Sequence, residues 1–301
     1  MEDNSYRYAL HVPVTEPPQR VVSLVPSITE ALFDLGVGDR LVAVTDYCVH
    51  PVAGVAPLPK IGGTKNPDLK QIIALHPELV FANQEENRRE DVEALRAAGI
   101  PVWVTFPHTV NEAMNLLWAL MDVFDQPSMV HRVRLIEQTV DFVERIGMTR
   151  VQPCRVFVPI WYDPLMTFNH ETFIHDLMRV CGGQNVFAER ERLYPLAADL
   201  GQSPAFAADD PRVSGRDRRY PRVTWDEVEA AQPDVILLPS EPFAFTDAHV
   251  PEFTKLDVPA ARNGQIHLVD GSLLTWHGTR IAHALTVLPA LLCSTDAQNV
   301  G

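Results

Sequence analysis

An internal repeat constrains this chain more than any single motif. Asp68–Phe81, followed by Glu85, and Thr224–Leu237, followed by Glu241, read as two copies of one unit about 156 residues apart. In each copy a short amphipathic stretch is stopped by a proline, Pro77 or Pro233, and runs into an apolar, β-branched segment. Proline cannot continue a helix, and a short unbroken apolar run has the length of a parallel strand covered on both faces. Two copies predict two similar α/β lobes, and the cleft between two lobes is where a small ligand normally binds.

The remaining pattern fills in both lobes. Val21–Val25 reads as a short buried strand, and Pro26 and Ser27 lead into a helix through Thr29–Leu35 that Gly36 stops, with Ser27 or Thr29 as the expected cap, backbone N–H groups turned toward the cleft and both residues as candidate ligand contacts. A strand at Leu41–Thr45, a loop through Tyr47, Cys48 and His50, a Gly62-Gly63 turn, a helix over Arg89–Ala98 and a strand at Pro101–Thr105 follow. Such β/α alternation predicts a parallel sheet with helices on both faces. Between Pro127 and Gly147, Met129, Val133, Ile136, Val140, Val143 and Ile146 recur every three or four residues. That spacing predicts one helix of roughly 30 Å, a rigid connector that lets two lobes move little on binding. A second lobe follows with a strand from Arg155, a helix near Phe173–Cys181, a strand at Ile266–Val269 and a last helix near Thr279–Cys293. The expected division is an N-terminal extension over 1–20, an α/β lobe over 21–126, a linker helix over 127–150 and a second α/β lobe over 151–301.

Charge and composition narrow the partners. A formal net charge of -14 argues against nucleic acid, whose phosphates such a surface repels. Met1–His11 lacks a basic start and a continuous apolar run, so it does not read as a secretory signal, and no apolar run has the length of a membrane span. The chain as it stands reads as cytoplasmic; with a trimmed N-terminus it reads as periplasmic or cell-surface. Cys48, Cys154, Cys181 and Cys293 form no CxxC pair and read as reduced, mostly buried thiols.

Glu85 and Glu241 hold equivalent places after the two repeat strands, where ligands of parallel α/β folds sit. A carboxylate pair facing across the cleft, orienting ligand amides or holding a cation, and two surface carboxylates are both open readings. For Trp161, Tyr162, Trp276 and His277, ligand contact and core packing are likewise both open. His50, His108, His170 and His277 are the candidates for a directly bound metal, but no HExxH-type spacing supports one and none is expected. The chain has no GxSxG elbow, no P-loop and no GxGxxG after its first strand, so an enzyme is not expected. From Ala188 to Arg222 the periodicity disappears and seven arginines cluster, which reads either as a solvated loop or as an anion-contacting flap.

Val21–Ala31, Asp46-Tyr47-Cys48, Asn66–Val80, Thr167–Phe187 and Val223–Leu238 resemble the vitamin B12-binding proteins of the helical-backbone metal receptor superfamily. These are the solute-binding components of ABC importers for corrinoids, haem and ferric siderophores, and the resemblance runs from about Arg20 to Leu292. It implies two Rossmann-like lobes joined by one long helix, and a non-catalytic protein holding a corrinoid, haem or ferric siderophore as ligand. It further implies a ligand wall with Tyr47 and Cys48 beside Gly63, with Met166 in the segment Asp163–Thr167, and with Tyr220 as a second aromatic. Thr64 and Asn83 stand where the B12 receptor has tryptophans, implying a more polar wall. Lys70 and Asp226 align with the glutamates that dock the importer permease, and a lysine there reverses the charge. A cytoplasmic cofactor-handling enzyme, a ligand sensor and a direct metal-ion binder remain the alternatives on this fold.

Overall fold

The computed structural model describes residues 12–149 and 152–293. Most of the expected N-terminal extension, including Met1–His11, lies outside the described residues, as does the side chain of Cys293. The chain forms two compact units. Unit 1 takes the residues up to Gln138 together with Trp276–Ile281, and unit 2 takes Thr139–Thr275 together with the stretch from Ala282.

Unit 1 holds a parallel sheet of β1 (Val21–Ser23), β2 (Leu41–Val44), β5 (Leu79–Asn83) and β6 (Val102–Thr105) in the order β2-β1-β5-β6, with a short ladder of β3 (Gly62–Gly63) and β4 (Asn66–Pro67) beside it. Unit 2 holds β7 (Cys154–Phe157), β8 (Gly183–Asn185), β9 (Val235–Pro239) and β10 (Ile266–Val269) in the order β10-β9-β7-β8, again parallel throughout. Counted along the chain, both sheets run second, first, third, fourth. The repeat strands β5 and β9 are inner strands buried at every position, because neighbours and helices cover both faces. Val22, Val80 and Ile72 belong to the core of unit 1, and Phe157, Ile236 and Phe253 to that of unit 2. Each such side chain contributes about 1.5–3 kcal/mol when fully buried.

The repeat is reproduced in local detail. Asp68 caps its helix by accepting from Gln71 N at 3.0 Å, and Thr224 caps the equivalent helix by accepting from Glu227 N at 3.2 Å. Both helices are left through a left-handed residue before the proline, His76 at φ 46° and Gln232 at φ 43°. Arg20 Nη2 donates to Leu75 O at 2.6 Å and Arg155 Nη2 to Ala231 O at 2.7 Å. In each unit an arginine at the start of the first strand, Arg20 just before β1 and Arg155 second in β7, thus satisfies a carbonyl orphaned at the end of the repeat helix, where a cation is also favoured by the helix dipole.

Two features differ from the expectation. Helix α1 (Pro26–Asp34) begins earlier than its expected cap, with Pro26 at the first position and Val25 as a cap residue that makes no side-chain bond. Ser27 and Thr29 therefore lie inside the helix, because proline's missing N–H costs nothing at that first position. The second difference is that Trp276–Ile281 groups with unit 1. Gly278 makes this possible: at φ +109° a Cβ there would sit 3.3 Å from Ser27 O. The long helix (Val130–Met148) follows a single 3-10 turn at Pro127–Met129, and the border between the units falls within it. Ala188–Arg222 carries only the short helix Leu196–Asp199, in keeping with the irregular region expected there.

Candidate functional site

In a parallel sheet all strands end on one edge, so the loops after them gather there in each unit. On unit 1, Ser27 and Asn83 come together with His277, the residue that arrives on Trp276–Ile281. Ser27 Oγ lies 3.4 Å from His277 Nδ1, and Asn83 Nδ2 lies 3.2 Å from Nε2. Asn83 Oδ1 accepts from Glu85 N at 2.8 Å and Glu86 N at 3.3 Å, which orients the amide so that Nδ2 faces the imidazole. Nε2 is then an acceptor and Nδ1 carries the proton toward Ser27. Burial pushes the pKa of His277 down to about 4. The chain of bonds continues outward, because Asn87 Oδ1 accepts from Asn83 N at 2.7 Å and Asn87 Nδ2 donates to Thr64 O at 2.9 Å. Asn83, expected as a polar wall residue, is buried with its amide bonded inward.

The same segment is anchored twice more. Arg280 Nε and Nη2 grip Glu30 Oε2 and Oε1 at 2.7 and 2.6 Å, in a pair only 10% and 16% exposed. The Arg280 guanidinium also lies 4.9 Å from the Trp276 ring, and His50 meets that ring edge-on at 5.8 Å. Trp276 is buried. A second polar group surrounds Cys48: Thr29 Oγ1 lies 3.1 Å from Cys48 Sγ and 3.1 Å from Val25 O, and Thr45 Oγ1 lies 3.2 Å from Sγ. Burial pushes the Cys48 thiol pKa up, against those hydrogen bonds, so this cysteine is a packed thiol rather than a nucleophile.

Solvent meets other groups. Tyr47 is 62% exposed, and the Cβ that a larger residue would add at Gly63 stands 3.4 Å from its ring. Glu85 is exposed, and its carbonyl accepts from Lys65 Nζ. Thr64 is half-buried.

On unit 2, Trp161, Tyr162 and Met166 sit in a small antiparallel arrangement after β7. Met166 bridges both Trp161 and Arg222, with Met166 N donating to Trp161 O at 3.1 Å. Trp161 is 44% exposed and meets Phe243 edge-on at 5.6 Å; Tyr162 stacks on Phe243 at 5.9 Å. Tyr220, half-buried, lies under the Arg219 guanidinium at 5.2 Å. Glu241 is half-buried, with Oε1 accepting from Thr275 Oγ1 at 2.5 Å. Glu85 and Glu241 thus hold equivalent places in separate units but are used differently. Phe243 was not singled out in the sequence; its signal was the Phe243-Ala244-Phe245 run just past a strand end.

Among the described residues no three His, Cys, Asp or Glu side chains group to hold a metal ion. His277 keeps both ring nitrogens on protein partners, His108 meets the Phe106 ring edge-on at 3.9 Å, and His170 Nδ1 lies 2.8 Å from Ala188 O. Lys70 and Asp226 are exposed in the first turns of the two repeat helices. No described helix is long and apolar enough to cross a membrane.

Two parallel α/β units each carry ring-bearing and polar loops on their strand-end edges, and the chain belongs to the periplasmic binding protein family, whose model matches residues 21–273. The particular relatives are vitamin B12-binding proteins: over 178 residues the chain is 30% identical to those of Yersinia pestis (strain Pestoides F) and Yersinia pseudotuberculosis serotype O:3 (strain YPIII). The match covers 59% of this chain and 63% of each relative's length. In fold the chain is similar to the periplasmic vitamin B12 binding protein of Vibrio cholerae, with a TM-score of 0.74 at 21% identity over 94% of this chain and 100% of that one. It is also similar to the periplasmic heme binding protein of the same organism, with a TM-score of 0.70 at 18% identity over 91% and 99%.

Proposed function

We propose that this protein binds a corrinoid or a related metal chelate, haem or a ferric siderophore, without chemical change, as the solute-binding component of an ABC importer. The observation that carries the reading is the pair of exposed rings at the strand-end edges, Tyr47 on unit 1 and Trp161 on unit 2. Flat, largely apolar chelates are held well by aromatic faces, which bury much area at little entropic cost. The B12-binding relatives and the heme-binding neighbour support that class of ligand. In this reading Tyr47 is the ligand-contacting ring of unit 1, with Ser27, Asn83 and His277 holding that unit in shape behind it, and Trp161, Tyr162, Phe243 and Tyr220 are the ligand-contacting rings of unit 2.

Docking to a permease uses the exposed positions of Lys70 and Asp226. With one cation and one anion there, the matching surface carries both signs, unlike a partner that reads two carboxylates. Such delivery takes place on the periplasmic or cell-surface side, whereas a cytoplasmic location favours a ligand-handling or sensing role. Fractionation of the native host separates the two.

The test is a visible-absorption and calorimetric titration with cobalamin, cobinamide, haem and a ferric siderophore. One-to-one binding at micromolar or tighter affinity to one of these supports the reading. No binding to any of the four overturns it.

A further inference from the structure

Tyr47 carries its ring on the loop that follows β2, the end strand of the four-stranded sheet of unit 1. At 62% exposed the ring gains little hold from its own packing, so the backbone beneath it has to set its direction. Surface loops are mobile unless their backbone groups are tied. Here one side is tied by the stretch 59–62, which runs alongside the end of β2. Val44 N donates to Pro59 O at 3.1 Å, Ile61 N to Val44 O at 3.1 Å and Asp46 N to Gly62 O at 2.9 Å.

One side chain closes the turn itself. Lys60 Nζ donates to Cys48 O at 3.0 Å and to Thr45 O at 3.4 Å, so a single ammonium holds the carbonyls on both sides of Asp46 and Tyr47. Thr45 O also accepts from Cys48 N at 3.2 Å. A hydrogen bond from an ion is about twice as strong as one between neutral groups, which makes this lysine the firmest tie on the turn. Below, the buried Cys48 thiol sits between Thr29 Oγ1 at 3.1 Å and Thr45 Oγ1 at 3.2 Å, with Ser23 O at 4.0 Å, and fixes the turn against the strand ends. The ring itself lies over Gly63, where a Cβ would stand 3.4 Å from Tyr47 Cε2.

We propose that Lys60 is a positioning residue for the solute: it holds the 45–48 turn so that the Tyr47 ring is presented outward in one direction before any solute arrives. The gain is preorganisation, since ordering a loop and a ring during binding subtracts from affinity and ordering them beforehand does not. The core of unit 1 does not depend on this tie, because both bonds of Lys60 end on carbonyls of one loop. The inference rests on the solute-binding reading for what meets the ring, but not for what holds the ring in place.

Two arms test it on the full-length protein. The first needs no solute: the six tyrosines are replaced by 3-fluorotyrosine, and the Tyr47 fluorine resonance is assigned as the one missing from Tyr47→Phe. In Lys60→Met that resonance shifts or broadens while the others stay, and Lys60→Arg, which can still reach both carbonyls, restores it. In the second arm calorimetry follows cobinamide and haem. Lys60→Met binds about five- to tenfold more weakly than the wild type, but in a Tyr47→Ala background the same change costs less than about twofold, the coupling expected of a residue that acts through the ring. An unmoved Tyr47 resonance overturns the proposal. So does a shift of all the resonances together with a lower melting temperature, which makes Lys60 a residue of the fold, and so does an equal loss of affinity with and without the Tyr47 ring. If the Tyr47 resonance responds as expected while the wild type binds neither probe, the tie on the ring stands and the solute reading fails.

Discussion

Acidification should loosen unit 1 through one side chain. His277 is buried, with Nε2 accepting from Asn83 and Nδ1 facing Ser27. A proton on Nε2 would set N–H against the Asn83 amide hydrogens, and that amide cannot turn over without freeing the Glu85 and Glu86 N–H groups. In the unfolded chain the imidazole takes its proton near 6.5, but in the folded chain burial delays this to about 4. Between these values the unfolded state binds more protons, so stability falls as pH falls. The contribution is fully present above about pH 6.5 and lost progressively down to about pH 4, a total of roughly 3 kcal/mol. Urea unfolding at pH 7.5 and 4.5, read by hydrogen exchange on peptides from β1 and β5, measures it. Other carboxylates and histidines titrate in the same window, so the comparison is with His277→Gln, which cannot titrate. That variant is less stable at pH 7.5 but has a shallower pH dependence by about the same 3 kcal/mol. Identical slopes for the two proteins would refute the reasoning.

Tyr47→Ala should weaken binding of the chelate by about 1–3 kcal/mol while leaving the melting temperature of the free protein nearly unchanged, since the ring is exposed; a large fall in melting temperature would show a structural ring instead. Glu85→Ala should behave in the same way, because its carboxylate is exposed and the local turn is held by its backbone N–H. Arg280→Ala strands Glu30 in a nearly buried pair and should cost about 3 kcal/mol, read as a lower urea midpoint. Asp199→Ala leaves Leu193 N and Arg222 N without their acceptor and Arg190 with Glu227 as its one carboxylate, and should cost about 3–5 kcal/mol, with raised hydrogen exchange confined to peptides around 188–222.

Much of the architecture was legible because it is written in local patterns. The repeat helices and their strands, the long helix after Pro127 and the strand Ile266–Val269 depend on apolar period, proline and caps within a few residues of one another. The cap of α1 was misplaced because Ser27 and Thr29 are good caps by type, and only the position of Pro26 decides between cap and first turn. The Arg20 and Arg155 clamps escaped notice because the intervening segments differ in length, so the arginines do not share the repeat's offset. Of the site, Tyr47 and Trp161 were readable as rings just beyond strands.

By itself the sequence determined two similar parallel α/β units, their order along the chain and the residue types at their strand ends, since each of these follows from neighbours close in the chain. Only the tertiary structure decided that Trp276–Ile281 belongs with unit 1, that Ser27 meets His277 across 250 positions, and that Arg190 pairs with both Asp199 and Glu227. Those outcomes are choices among many possible long-range partners. Burial and hydrogen-bond satisfaction settle them once the chain is packed, and no local period records the result.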